Sequence, residues 1–168
     1  MIDALPIPVE SPVEPPAFVQ RSNVLPGTHS APTFECFVRE ADRNGLDPYV
    51  LLAVMKTENG RPGEVARNTN GTHDLGVMSI NTVWIPELAR RSGVPERSLA
   101  RTLASDGCAN VAAGAWILKQ KIVEAGSVWE GVARFHSRNP VKQVPYLKRV
   151  YSRFKETLER VGIGASVR

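Results

Sequence analysis

The 168 residues leave room for one folded domain of ordinary core size plus a tail. A net charge of +4, from 21 Lys and Arg against 17 Asp and Glu, suits an anionic polymer partner but also many cytosolic proteins; no basic run interleaved with aromatics occurs, which argues against nucleic acid. No stretch reaches the roughly 20 apolar residues of a membrane span, and 42% hydrophobic with 23% charged residues are ordinary globular values that name no function.

Met1-Ile2-Asp3-Ala4 opens the chain without the positive region or continuous apolar core of a secretory signal. The chain therefore reads either as a mature form behind a restored Met1 or as one that reaches its site by another route. Seven of the 13 prolines lie at positions 6, 8, 12, 15, 16, 26 and 32. Such a stretch has no apolar periodicity from which to build a core, so residues 1–32 are expected to form an extended or disordered Pro-rich tail. A spacer, a docking peptide, or no role at all would each fit it.

From Thr33 onward the signals are helical. Thr33 can cap a helix carrying Phe34, Phe37, Val38 and Ala41 that ends near Gly45. Asp47-Pro48 supplies a cap and a first-turn proline for a second helix through Leu51, Leu52, Val54, Met55 and Glu58, with Gly60 as its stop. Residues 61–78, rich in Gly, Asn and Thr, read as an irregular excursion or small hairpin. Helices resume from Ile80 to Arg91, near 95–104, from Val111 to Val123, and over roughly 127–136 and 143–161. Six or seven helices with at most a vestigial β-hairpin make the fold class mainly α. One domain is expected over residues 33–162, followed by a flexible C-terminus at 163–168.

Cys36 and Cys108 are the two cysteines. Spacing alone leaves open a disulfide, worth roughly 4 kcal/mol by loop entropy, or two unrelated buried thiols. No CxxC pair or Cys/His cluster of zinc type is present, so neither metal nor cofactor is expected.

The chemistry centres on Glu58. It follows Val54 by four residues and Leu51 by seven, so it projects from the apolar stripe of its helix. A carboxyl held among apolar neighbours keeps its proton to higher pH, as a general acid for a glycosidic oxygen requires. The plain alternative is a helix-end glutamate turned to solvent. The following loop, Asn68-Thr69-Asn70-Gly71-Thr72-His73-Asp74, leads into Leu75-Gly76-Val77-Met78-Ser79-Ile80-Asn81. Its amides and short polar side chains suit N-acetyl sugars, although a surface turn would use the same residues.

Together Thr57-Glu58-Asn59-Gly60 and Gly76-Val77-Met78-Ser79-Ile80-Asn81 resemble the soluble lytic transglycosylase family, lysozyme-like enzymes of glycoside hydrolase family 23 type. That family carries Glu-Ser followed, at the spacing from Glu58 to Gly76, by Gly-Leu-Met-Gln-Ile-Asn. The specialised lytic transglycosylases of secretion, conjugation and type IV pilus systems are nearest. They share the Asn-x-Asn-Gly-x-x-Asp loop, an early Cys-Phe (Cys36-Phe37), Asp-x-Cys-x-Asn (Asp106 to Asn110) and Gly-Ala-Trp-Ile-Leu (Gly114 to Leu118). The resemblance covers about residues 34–151.

It implies a lysozyme-like fold and a peptidoglycan lytic transglycosylase with Glu58 as acid/base. The bond between N-acetylmuramic acid (MurNAc) and N-acetylglucosamine (GlcNAc) would be cut without water, leaving a 1,6-anhydro end. The partners implied are peptidoglycan glycan strands and a secretion, conjugation or pilus apparatus. The location implied is periplasmic or otherwise extracytoplasmic, and Cys36 and Cys108 match positions paired by a disulfide in exported relatives. Substrate contacts would fall to Asn70, Asp74, Met78, Ser79, Asn81, Phe135, His136 and Tyr146. Met78 and Ile80 would line the cleft floor or else belong to the core.

Three departures stand out. Asn59 replaces the family's Ser, Ser79 replaces its Gln, and Arg134-Phe135-His136-Ser137 stands where the family has Ala-Tyr-Asn-x-Gly. Phe135 cannot offer a hydroxyl to the glutamate; Tyr146, in Pro145-Tyr146-Leu147-x-x-Val150, could supply it. Asp74 raises a second chemistry, because its loop also resembles animal lysozymes, where an aspartate partners the glutamate in hydrolysis. Alternatively Asp74 ties its loop to backbone amides. A non-catalytic wall-binding or scaffold protein is the reading from another class, motivated by the three departures.

Overall fold

The computed structural model describes residues 27–163; the expectations for 1–26 and for 164–168 lie outside the described residues. Seven helices and one small sheet are present among them. Helix α1, Phe34–Arg43, starts where Thr33 Oγ1 accepts the Cys36 amide at 3.1 Å. Helix α2, Pro48–Glu58, starts where Asp47 Oδ1 accepts the amide of Tyr49 at 2.7 Å. Its stop is one residue earlier than the glycine expected from sequence. Asn59 takes the left-handed conformation at φ 56°, which asparagine tolerates. Gly60 serves packing instead, because a Cβ there would strike the Gly76 carbonyl.

The stretch expected to be at most a hairpin forms three antiparallel strands in the order β1 (Val65–Arg67), β2 (His73–Leu75) and β3 (Ile80–Asn81). Ala66 faces Asp74, and Asp74 faces Asn81, across the two pairings. Ile80 and Asn81 therefore do not open a helix. Asn81 Oδ1 accepts the Val83 amide at 3.0 Å, starting a 3-10 turn at Thr82–Trp84 before α3, Ile85–Ser92, with Pro86 in its first turn.

Helix α4 spans Glu96–Ser105 and α5 spans Gly107–Ala125. The latter begins four residues before the expected Val111, since Asp106 Oδ1 caps it by accepting the amides of Cys108 and Ala109 at 2.9 and 3.1 Å. Helices α6, Val128–His136, and α7, Pro140–Arg160, complete the chain. Pro145 lies inside α7, whose start at Pro140 is set by Asn139 accepting the Val141 amide at 3.0 Å. None of the described helices is long and apolar enough to cross a membrane.

Helix α5 is the axis of the core. Its residues from Val111 to Leu118 are all buried, among Leu51, Val54, Leu99, Leu103, Val132 and Val150 of the surrounding helices. Gly114 is required there because a Cβ would run into Met78 Sδ. Two ties hold the periphery to this axis. The Cys36–Cys108 disulfide joins α1 to the start of α5, with 5.9 Å between Cα atoms and a separation of 72 residues. Ahead of α1, Ser30 donates its amide to Ser105 at 2.9 Å and accepts that of Gly107 at 2.8 Å, so backbone pairing begins upstream of Thr33.

Asn110 performs the most demanding task in the interior. It is wholly buried; its Oδ1 accepts the Met78 amide at 2.8 Å, while its Nδ2 donates to the carbonyls of Leu75 at 2.7 Å and Leu103 at 2.8 Å. Asn110→Leu would leave three buried backbone groups without those partners, at a cost of about 3 kcal/mol or more. Urea unfolding should show this, and a loss below about 1 kcal/mol would contradict the role. Reducing the disulfide should cost about 4 kcal/mol, lowering Tm by roughly 10 °C. An unchanged melting temperature in reductant would count against a stabilising bond.

Candidate active site

Glu58 is the last residue of α2, and its carboxyl lines a cleft of about 530 Å³. One wall comes from the Asn68–Asn70 loop, Asp74, Ser79, Ile80, Asn81 and Trp84. Ile117 of α5 forms the back, and Phe135, His136 and Lys142 the other wall. The polar wall is fixed internally. Thr72 Oγ1 accepts from Asn68 Nδ2 at 3.1 Å and Asn81 Nδ2 at 3.0 Å, and donates to Asn70 Oδ1 at 2.8 Å. Asn81 Nδ2 also donates to Asp74 Oδ1 at 2.8 Å. Asp74 is thus tied to a side-chain amide rather than to backbone amides.

Behind Glu58 stands Tyr146 of α7, only 1% exposed, whose hydroxyl donates to Glu58 Oε1 at 2.7 Å across 88 residues of sequence. The His136 ring stacks on the Tyr146 ring with centroids 4.2 Å apart and planes 2° from parallel. Arg149 lies over that ring at 5.9 Å. Burial pushes the Glu58 carboxyl up from its ordinary 4.5 to about 7. The Tyr146 hydrogen bond opposes that rise, the Asp74 charge adds to it, and the Arg149 charge opposes it. Burial, with the neighbouring Glu58 charge and hydrogen bond, holds the Tyr146 phenol far above its ordinary range, so it remains a donor. His136 is held below its usual value by burial first, then by the charges of Arg149 and Lys142, against the pull of Asp74.

This arrangement can give and take one proton near neutral pH at a carboxyl fixed in orientation. With Oε1 accepting from Tyr146, Oε2 is left to carry the proton. A larger groove, about 700 Å³, runs beside Val65, Leu75, Ala100 and Ala104, but no carboxylate lines it. Among the described residues no three His, Cys, Asp or Glu side chains gather in a way that could hold a metal ion.

Of the residues expected at the substrate, Asn70, Asp74, Ser79, Asn81, Phe135 and His136 line the cleft with Glu58. Met78 does not. It is wholly buried against Gly114, because the turn held by Asn110 points its side chain into the core while Ile80 reaches the cleft. Tyr146 does not line the cleft either; it contacts the carboxyl from behind. Trp84, Ile117 and Lys142 line it without having been singled out from sequence. Their signal was slight: a tryptophan three residues past Asn81, an apolar position of α5, and a lysine in the first turn of α7.

The family model described as Transglycosylase SLT domain matches residues 35–137, ending before α7. The chain is similar to Invasion protein IagB of Salmonella typhi, 25% identical over 130 residues, covering 74% of this chain and 78% of that protein. It is also similar to Protein IpgF of Shigella flexneri, 26% identical over 125 residues, covering 71% and 79%. A Peptidoglycan-binding-like protein of Escherichia coli O157:H7 is 25% identical over 126 residues, covering 69% and 74%. The domain match spans most of the folded residues and includes the carboxyl, the polar loop and the glycine turn: the chain belongs to the Transglycosylase SLT domain family and is a peptidoglycan lytic transglycosylase.

Proposed function

We propose that Glu58 is the single catalytic acid and base with which this enzyme cuts the β-1,4 bond between MurNAc and GlcNAc. One observation carries the reading: a carboxyl with a pKa of about 7, in a polar cleft, oriented by a buried tyrosine. Protonated Glu58 gives its proton to the glycosidic oxygen as the C1–O4 bond breaks, and the acetamido oxygen of the same muramoyl residue closes on C1. The Glu58 carboxylate then takes the proton of the C6 hydroxyl as O6 attacks C1 and the acetamido oxygen departs. The product is a 1,6-anhydro end, and no second protein carboxylate is needed. Similarity to a protein named for invasion, together with the resemblance to specialised transglycosylases, supports local wall opening for a secretion or pilus apparatus. The wall is outside the cytoplasm, and the periplasm is the site of action we propose.

A hydrolytic reading has one observation in its favour. Asp74 lines the same cleft, and its charge is felt at Glu58. Two carboxyl groups flanking a sugar bond are the equipment of a retaining hydrolase. Mass spectrometry of digested sacculi separates the two readings, since anhydro ends arise only from the transglycosylase reaction.

Glu58→Gln should reduce release of anhydromuropeptides by roughly 10²- to 10⁴-fold. Retained lysis would remove Glu58 from the mechanism, while wild type and variant that both bind sacculi and release nothing would favour a scaffold. Stability provides an independent check. The folded carboxyl titrates near 7 and the unfolded one near 4.5, so ionisation destabilises the wild type progressively as pH rises between those values. At pH 8 the Gln variant should be more stable by up to about 3 kcal/mol, and at pH 4 equal. An equal gap at both pH values would contradict the raised carboxyl.

The wild-type kcat/KM should fall as pH rises through about 7, where the acid form is lost. Tyr146→Phe removes the hydrogen bond that favours the carboxylate, so that alkaline limb should move to higher pH. The maximal rate should drop roughly ten- to hundredfold as orientation is lost. A limb that stays in place, or moves to lower pH, would contradict the assignment of Tyr146 to Glu58.

A further inference from the structure

The two walls of the cleft differ in charge. One is built from Asn68, Asn70, Asn81 and Thr72, whose polar atoms are engaged with one another and with Asp74. The other carries Lys142 and His136, with Arg149 close enough to act on His136. Five basic side chains form ion pairs, and most of the other described ones, Lys142 among them, do not. Arg39 and Arg43 meet Glu40, Arg90 and Arg91 meet Glu87, and Lys121 meets Glu124. Lys142 has no carboxylate within 4 Å among the described residues, yet it lines the cleft. A positive group in a concave site, without an ion-pair partner of its own, raises the local concentration of anions.

Only one of the two sugars of the substrate carries an acid. The muramoyl residue bears a lactyl group on O3, whose carboxylate is free on denuded strands and amide-linked on peptide-bearing ones, where the stem supplies carboxylates instead. The bond cut is at C1 of that same residue, so the ring that bears the substituent sits beside Glu58, within reach of the cleft walls. Resting on the function proposed above, we propose that Lys142 binds a carboxylate of the muramoyl substituent and makes the enzyme selective for anionic over charge-neutralised glycan. The amide-rich wall would hold the acetamido groups, and Lys142 on the opposite wall would set which way round the strand lies.

Binding to the full-length Glu58→Gln protein tests this without turnover. The probes are denuded glycan strands, the same strands with lactyl carboxylates converted to amides, and peptide-bearing strands with and without the same amidation. Carboxylate strands should bind about threefold more tightly than their amidated counterparts, the range of an exposed ion pair. Lys142→Met in the same background should bring that ratio to about one, Lys142→Arg should keep most of it, and about 1 M salt should erase it. An effect confined to denuded strands assigns the lactyl carboxylate, and one confined to peptide-bearing strands assigns the stem; either supports the proposal. A ratio of one in the parent protein, or the same ratio with Met and Lys at 142, overturns it. Loss of all glycan binding, or wall lysis that survives Glu58→Gln, instead overturns the reading of the cleft on which it rests.

Discussion

The site rests on a buried side-chain amide. Asn110 spends its acceptor and both donors on backbone groups of Leu75, Met78 and Leu103, joining the glycine turn and the end of α4 to the axial helix. Only a residue offering one acceptor and two donors at that spot satisfies all three. The turn it holds needs Gly76 at φ 64°, since a Cβ there would strike Asn110 itself, and Ser79 at φ 49°. Those two conformations decide which side chains face inward. Met78 goes to the core and fills the space left by Gly114, while Ser79, Ile80 and Asn81 go to the cleft. Residues that line the cleft are therefore positioned by one that is wholly buried beneath them.

Glu58 is governed by a balance rather than by one neighbour. Burial alone would favour a neutral carboxyl more strongly than the acid and base role proposed for it allows. The Tyr146 hydroxyl and the Arg149 charge favour the ionised form, and Asp74 pulls back toward the neutral one. The balance falls at about 7, where both halves of an acid–base cycle remain accessible. Both moderating groups come from α7, beyond the residues that match the family model. Phe135 has no hydroxyl to offer the carboxyl; the hydroxyl that reaches Glu58 is that of Tyr146 on the next helix, with His136 stacked on its ring.

Much of this was legible because helix starts are written in local chemistry. Thr33 and Asp47 announce α1 and α2, and the apolar stripe that runs through Val54 carries Glu58. The sheet was less legible, since strands of two or three residues are too short to show alternation and are fixed by Asn81, Asp74 and Thr72 bonding across the loop. Ile80-Asn81 resembles a helix start because Asn81 is indeed a cap, but of a 3-10 turn one element earlier. Met78 shows the same limit: which neighbour in Gly76-Val77-Met78-Ser79-Ile80 faces the core depends on two positive φ values. Lys142 and Arg149 carried no motif, and only the packing of α7 against α2 brings them to the site.

Asp74 ties these levels together. In β2 it faces Asn81 of β3, which holds one of its oxygens at 2.8 Å, so its position follows from strand register rather than from a flexible loop. A nucleophile must reach the anomeric carbon from the face opposite the acid, and a carboxylate anchored to a fixed amide has limited freedom to do so. As a stationary negative charge it does something else. It helps hold Glu58 protonated, and it would disfavour a second anion on the polar wall. On the proposed reading, an acidic substituent on the substrate is thereby directed to the opposite wall, where Lys142 has no carboxylate within 4 Å among the described residues. On the function proposed, one fixed carboxylate therefore bears both on the proton held at Glu58 and on the orientation of the strand.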